Sequence, residues 1–252
     1  MTGVNSKERF SSRVENYVKY RPTYPPEVIN NLIAKTGLNE GSLVADIGSG
    51  TGKFTRALLE RGISVVAIEP NKNMRSAAER DLSGFPGFRS VSASAEETGL
   101  RTDSVDLITA AQAFHWFDHA ACKIEFRRIL KPGGSVCLIW NRRETTPEFM
   151  KEYDKVITRL HMQKPSKEHH RINSAVFNDF FDGDFETKEF FWRQTLDLEG
   201  LWGRSQSSSY APTPDHPNYE PLKDALQDLF KRYSTNGVVR FDYRTEMTIG
   251  HL

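Results

Sequence analysis

Between residues 42 and 140 short apolar runs alternate with stretches of helical period. Ser42 to Ile47 (SLVADI), Ile63 to Ile68 (ISVVAI), Val105 to Ala111 (VDLITAA) and Val136 to Trp140 (VCLIW) read as buried strands, with Phe88 to Val91 a weaker one. ISVVAI is β-branched and apolar on both faces, as expected of a parallel strand covered by helices on each side. Phe54, Leu58 and Leu59 repeat at helical spacing and stop at Gly62. Asn71 is placed to cap a helix running to about Arg80, and Asp118 one running to Leu130, with Lys131-Pro132-Gly133-Gly134 as its stop. This alternation predicts an α/β, doubly wound, mainly parallel sheet.

After Asn141 the pattern changes. Residues 142–184 read as polar helix and loop, and Phe185 to Leu198 as a long strand. The serines and prolines between Leu201 and Pro221 read as a loop, Tyr219 to Tyr233 as an amphipathic helix, and Val238 to Ile249 as a last strand. No repeat or low-complexity linker interrupts the 252 residues, so one domain with insertions is expected.

Net charge is +1, without a run of five or six like charges, which points away from nucleic acid as a partner. No apolar run reaches membrane-spanning length. The start, MTGVNSKERFSSR, lacks the apolar centre of a secretory signal, and Cys122 and Cys137 stand alone, so a reduced, cytoplasmic protein is expected. His169-His170 with His161 nearby is a weak metal pattern without a Cys companion, and no metal is expected.

The glycine-rich DIGSGTGKF, Asp46 to Phe54, carries the chemistry. A phosphate loop would need glycine at 47 and a hydroxyl residue at 54, where Ile47 and Phe54 stand. A dinucleotide loop fails in both registers, with Lys53 or Thr55 in place of the third glycine. The remaining pattern is an acid at a strand end followed by Gly48, Gly50 and Gly52. It resembles the first motif of the class I S-adenosylmethionine-dependent methyltransferases. Glu69, at the end of the second strand, can accept both hydroxyls of a ribose. Ser94-Ala95-Glu96 is similar to that family's adenine-side loop, Gln112 to Trp116 to its active-site face, and Arg128 to Gly134 to its turn before the fifth strand. The segment from Tyr17 through Tyr20-Arg21-Pro22 to Pro25, with Ala111 to Phe117, resembles the branch of trans-aconitate and related small-acid O-methyltransferases.

The resemblance implies a Rossmann-like seven-stranded sheet whose last strand is antiparallel, in a single domain over residues 1–252. Within it, 1–40 would form lid helices, 41–140 the cofactor core, and 141–184 and 200–237 a substrate cap. It implies S-adenosyl-L-methionine held by Asp46, Gly48, Ser49, Gly50, Gly52, Glu69, Asn71, Met74, Ala95, Glu96, Gln112 and Phe114, with Tyr20 and Arg21 from the lid, Arg21 pairing with the methionine carboxylate or with a substrate carboxylate. Tyr17, Trp116, Trp140, Arg143, Trp202, Ser209 and Tyr210 would face a small-molecule acceptor, and Arg142 and Arg171 are further carboxylate partners. Lys53 is expected to point to solvent. His115 has two readings, a general base for an alcohol, phenol or amine, or a ring packed beside the cofactor with Trp116. A carboxylate acceptor needs no base. A regulatory protein that binds the cofactor without turnover, transfer to carbon or nitrogen, and a nicotinamide enzyme are the alternative functions.

Overall fold

The computed structural model describes residues 14–162 and 174–252. In chain order the elements are α1 (Val14–Tyr20), α2 (Pro26–Thr36), β1 (Leu43–Ile47), α3 (Lys53–Leu59), β2 (Ser64–Ile68), α4 (Lys72–Leu82), β3 (Phe88–Val91) and β4 (Val105–Ala111). A 3-10 turn (Phe114–Trp116) leads to α5 (His119–Ile129), β5 (Leu130–Arg143), α6 (Glu148–Leu160), α7 (Ser174–Phe181), β6 (Phe185–Leu196), α8 (Leu198–Gln206), α9 (Tyr219–Tyr233) and β7 (Val239–Gly250). The strands form one sheet in the order β3-β2-β1-β4-β5-β7-β6, parallel through β5 and antiparallel in its last strands. Strand order reverses between β1 and β4, where Asp46 pairs with Ala67 on one side and Thr109 on the other. In open sheets of this kind, ligands bind outside the carboxyl ends of the strands at such a reversal.

Alternation along the strands explains why they read as continuously apolar. Ala45, Ile47, Val66, Ile68, Ile108, Val136 and Leu138 face one way, packing with Phe126 of α5 and Phe177, Phe180 and Phe181 of α7. Val44, Val65, Leu107, Cys137 and Ile139 face the other, packing with Val28, Ile29 and Leu32 of α2 and Phe54 and Leu58 of α3. Each face is thus buried under helices, so both strand faces are mostly apolar. The expected caps form: Asn71 Oδ1 accepts from the N–H groups of Asn73 and Met74, and Asp118 Oδ1 from those of Ala120 and Ala121.

Two elements differ from the sequence expectation. β5 begins at Leu130 rather than Val136, because Leu130 pairs with Val105 before the register shifts and Ser135 pairs with Leu107. Lys131-Pro132-Gly133-Gly134 is therefore absorbed into an irregular strand, with Gly133 at φ +78°. The second is α8, which occupies much of the expected loop. Asp197 caps it, its Oδ1 accepting from Gly200 N–H at 2.7 Å, and its residues from Gly203 to Gln206 are buried although most are polar or small. Burial of polar side chains erased the apolar period on which the helix would have been recognised.

The chain divides into two compact units. The core unit comprises 23–141, 167–190 and 245–252, and the cap unit comprises 1–22, 142–166 and 191–244. Strands β5, β6 and β7 each contribute residues to both. The cap unit has its own apolar cluster, in which Phe241 meets both Phe149 and Tyr153 edge to face and Leu201, Leu222, Leu226 and Leu229 close the packing.

Candidate functional site

In the core unit the glycine loop follows β1. Gly48 and Gly50 both take left-handed backbone, φ +66° and +58°. A Cβ on Gly48 would lie 2.6 Å from the Cβ of Ala113, so the loop can pass the β4 side only as glycine. At Gly50 a Cβ would meet nothing within 4 Å, which leaves this turn of backbone open to a ligand. Among the described residues the buried hydroxyls of Ser49 and Thr51 have no hydrogen-bond partner, an orphaned polar pair in the same loop. Lys53, at the start of α3, is half-buried rather than turned to solvent.

Asp46 supports this loop from below. It is 1% exposed, and its carboxylate accepts from Thr55 Oγ1 at 2.6 Å and Thr109 Oγ1 at 2.9 Å. Burial raises its pKa to about 6, against the lowering effect of the two threonines. Its oxygens thus tie β1 to α3 and β4. Glu69 holds the loop from the side. Oε2 accepts from Gly50 N–H at 2.9 Å and Oε1 from Asn71 N–H at 2.8 Å. Arg75 donates to the Glu69 carbonyl at 2.8 Å, fixing the end of β2. Met74 and Ala95 are buried, and Glu96 accepts from Asp118 N–H at 3.0 Å.

Beyond β4, Gln112 stands at φ +59°, a left-handed conformation that a side chain rarely adopts, while its N–H is bound to the Ile139 carbonyl at 2.8 Å. Such conformations cost about 1–3 kcal/mol and concentrate at ligand sites. Half-buried His115 lies with its ring 4.7 Å from Trp116 and 5.9 Å from Trp140. Phe114 is wholly buried, stacked on His119 at 4.2 Å and edge-on to Phe180, so its ring belongs to the core. Asp46, the loop glycines, Glu69 and Gln112 therefore gather at the carboxyl ends of β1, β2 and β4.

The remaining expected residues lie in the cap unit. The Tyr20 hydroxyl donates to Glu199 at 2.6 Å, and its ring covers Gly203, where a Cβ would sit 2.0 Å from the ring. Arg21 lies over the Tyr17 ring at 5.2 Å and donates to the Ser207 carbonyl at 3.2 Å. Arg143 pairs with Asp154 and covers the Tyr153 ring, a packing role. Trp202 meets Tyr219 edge to face at 5.2 Å. Ser209 is half-buried, and buried Tyr210 accepts from Met162 N–H through its carbonyl. Sequence reasoning missed Arg204, which is 8% exposed and reaches the Tyr243 hydroxyl at 3.4 Å. Only a recognised helix across 198–206 would have brought it forward. Arg171, His169 and His170 lie outside the described residues. Among the described residues no cluster of three or more metal-ligating side chains occurs, and no helix is long and apolar enough to cross a membrane.

Residues 45–138 match the family model described as a methyltransferase domain. That stretch is similar to methyltransferase domains on a Rossmann-like scaffold, a class whose cofactor is S-adenosylmethionine. An uncharacterised methyltransferase of Mycobacterium tuberculosis is 39% identical over 150 residues, covering 60% of this chain and 59% of that protein. A malonyl-[acyl-carrier protein] O-methyltransferase of Marinomonas is 28% identical over 149 residues, covering 58% and 55%. The chain thus spans less than two thirds of the length of these curated relatives. A solved structure from Anaeromyxobacter dehalogenans, provisionally described as a type II methyltransferase, shares the fold at TM-score 0.66 and 22% identity, over 92% of this chain and 98% of that one.

Proposed function

We propose that this chain transfers the methyl group of S-adenosylmethionine to an oxygen of a small-molecule carboxylic acid. The observation that carries the cofactor assignment is the pinning of Glu69 by Gly50 and Asn71. A carboxylate fixed in advance at the end of β2 receives vicinal ribose hydroxyls without reorganising. The residues present fit such a ligand. The open turn at Gly50 admits close backbone approach, and the buried Ser49 and Thr51 hydroxyls offer polar partners without the lysine-and-hydroxyl set of a phosphate loop.

The bound cofactor would supply an electrophilic methyl group on a sulfonium. The loop from Asp46 to Gly52, with Asn71, Met74, Ala95, Glu96 and Gln112, would hold and orient it. An acid acceptor is ionised near neutral pH, so no proton has to be removed before attack. His115, between Trp116 and Trp140, would then shape the acceptor's surroundings and hold no proton in the reaction. The oxygen preference draws support from the relative named as an O-methyltransferase. We read residues 1–40, 141–184 and 200–237 as the substrate-side segments of one domain.

Calorimetry with S-adenosylhomocysteine, NAD and ATP tests the cofactor, and a panel of carboxylic acids, phenols and amines with labelled methyl donor tests the acceptor. The expected result is binding of S-adenosylhomocysteine alone and base-labile methyl ester products. Binding of NAD alone would overturn the reading.

A further inference from the structure

The cap unit holds two guanidinium groups, that of buried Arg204 and that of half-buried Arg21, without a carboxylate partner among the described residues. Arg204 is 8% exposed, and among the described residues its guanidinium makes only the 3.4 Å contact of Nε with the Tyr243 hydroxyl, which itself donates to Gln194 Oε1. Arg21 donates from Nη2 to the Ser207 carbonyl, while its Nε is fully buried and has no hydrogen-bond partner. The two residues are joined through Ser207. Ser207, which Arg21 reaches, returns its own hydroxyl to the Arg204 carbonyl at 2.7 Å. Burial first, and the charge of Arg204 next, lower the pKa of Arg21 to about 10. The Gln206 amide nitrogen and the Ser205 hydroxyl beside Arg204 are also buried without a partner. Arg143 of the same unit shows the contrasting case, since Asp154 neutralises it.

Burying a charge is costly unless it is paired, and two like charges together are costlier still. Neither Arg21 nor Arg204 forms an ion pair among the described residues. Both retain planar N–H edges, Nε of Arg21 and the Nη groups of Arg204, the donor geometry that matches a planar carboxylate.

We propose that Arg21 and Arg204 form an anion-binding site in the cap unit that anchors a carboxylate of the acceptor. The assignment of that anion to the acceptor rests on the methyltransferase reading above; the site itself does not. A carboxylate whose charge is shared by two guanidiniums is a weakened nucleophile, so this is an anchoring site.

The test uses malonate as the carboxylate probe and inorganic phosphate as the competing oxyanion, at fixed ionic strength set with chloride. Their binding to the full chain is followed by calorimetry and thermal shift. Malonate is expected to bind and to raise the melting temperature. Arg204→Met should weaken malonate binding by at least about tenfold, the loss of a charge-assisted hydrogen-bond pair, while affinity for S-adenosylhomocysteine stays unchanged. Arg204→Lys, which keeps the charge and loses the planar fork, is the second variant should the first fail to fold, and an intermediate loss is expected. Equal malonate binding in wild type and in a folded Arg204 variant overturns the site. Tighter binding of phosphate than of malonate overturns the carboxylate assignment. Malonate binding without S-adenosylhomocysteine binding upholds the anion site and sinks the methyltransferase reading alone.

Discussion

The backbone N–H of Gly50 donates to Glu69 Oε2 at 2.9 Å, joining the middle of the glycine loop to the end of the neighbouring strand. Neither residue's position is then independent of the other. Glu69→Ala removes both the acceptor that shapes the loop and the carboxylate offered to a ribose. We expect affinity for S-adenosylhomocysteine to fall at least about tenfold, as for loss of a charged hydrogen-bond partner. Calorimetry on the folded variant measures it, and unchanged affinity would remove Glu69 from the site.

Gly48→Ala places a Cβ 2.6 Å from that of Ala113 in a backbone at φ +66°. Left-handed backbone costs a non-glycine residue roughly 1–2 kcal/mol, and overpacking roughly 1–3 kcal/mol more. A clear drop in melting temperature with weaker cofactor binding is expected. For the melting temperature alone, Gly50→Ala is the control, because its Cβ meets nothing within 4 Å and only the backbone term remains.

Asp46 predicts a pH dependence. Its folded pKa, about 6, stands above the ordinary carboxylate value, so the folded state binds more protons than the unfolded state between about pH 4 and 6. Stability should therefore fall as pH rises through that window, by up to about 3 kcal/mol. Urea unfolding of wild type and Asp46→Asn across pH 4 to 7 checks the sign. A flatter profile in the variant is expected, and parallel profiles would clear Asp46 of the effect.

Gly203 of α8 lies under the Tyr20 ring of α1, where a Cβ would stand 2.0 Å away. Gly203→Ala should push α1 off α8 and break the hydrogen bond from Tyr20 to Glu199. Faster tryptic cleavage after Lys19 would report it, since the bond after Arg21 leads into Pro22 and resists trypsin. A cleavage rate equal to wild type would show that the helix pair tolerates the methyl group.

For His115, the pH-rate profile separates base from packing. With an acid acceptor, His115→Ala should lower the rate without moving the profile. Loss of a limb near the ordinary histidine pKa would mark a general base instead.

Much of the fold was legible because its signals are local. Strand alternation, the Asn71 and Asp118 caps, and the glycine spacing are read within a few residues, and the structure places β3, β4 and α9 where the pattern put them. The failed phosphate and dinucleotide registers were equally local, since each depends on one residue at one position. The irregular start of β5 and the helix at 198–206 were not legible. The first is set by pairing with Val105, and the second by burial of polar residues against the rest of the cap. Phe114 was readable as an aromatic, but only packing against Phe180 and His119 decided that its ring belongs to the core. The sequence by itself determined the sheet, the loop and its acid at Glu69, because hydrogen-bonding periods and turn chemistry are properties of short segments. Tertiary structure alone decided which charges share a desolvated space. Arg21 and the Ser207 carbonyl it reaches are 186 positions apart, and no local rule brings Arg204 beside them.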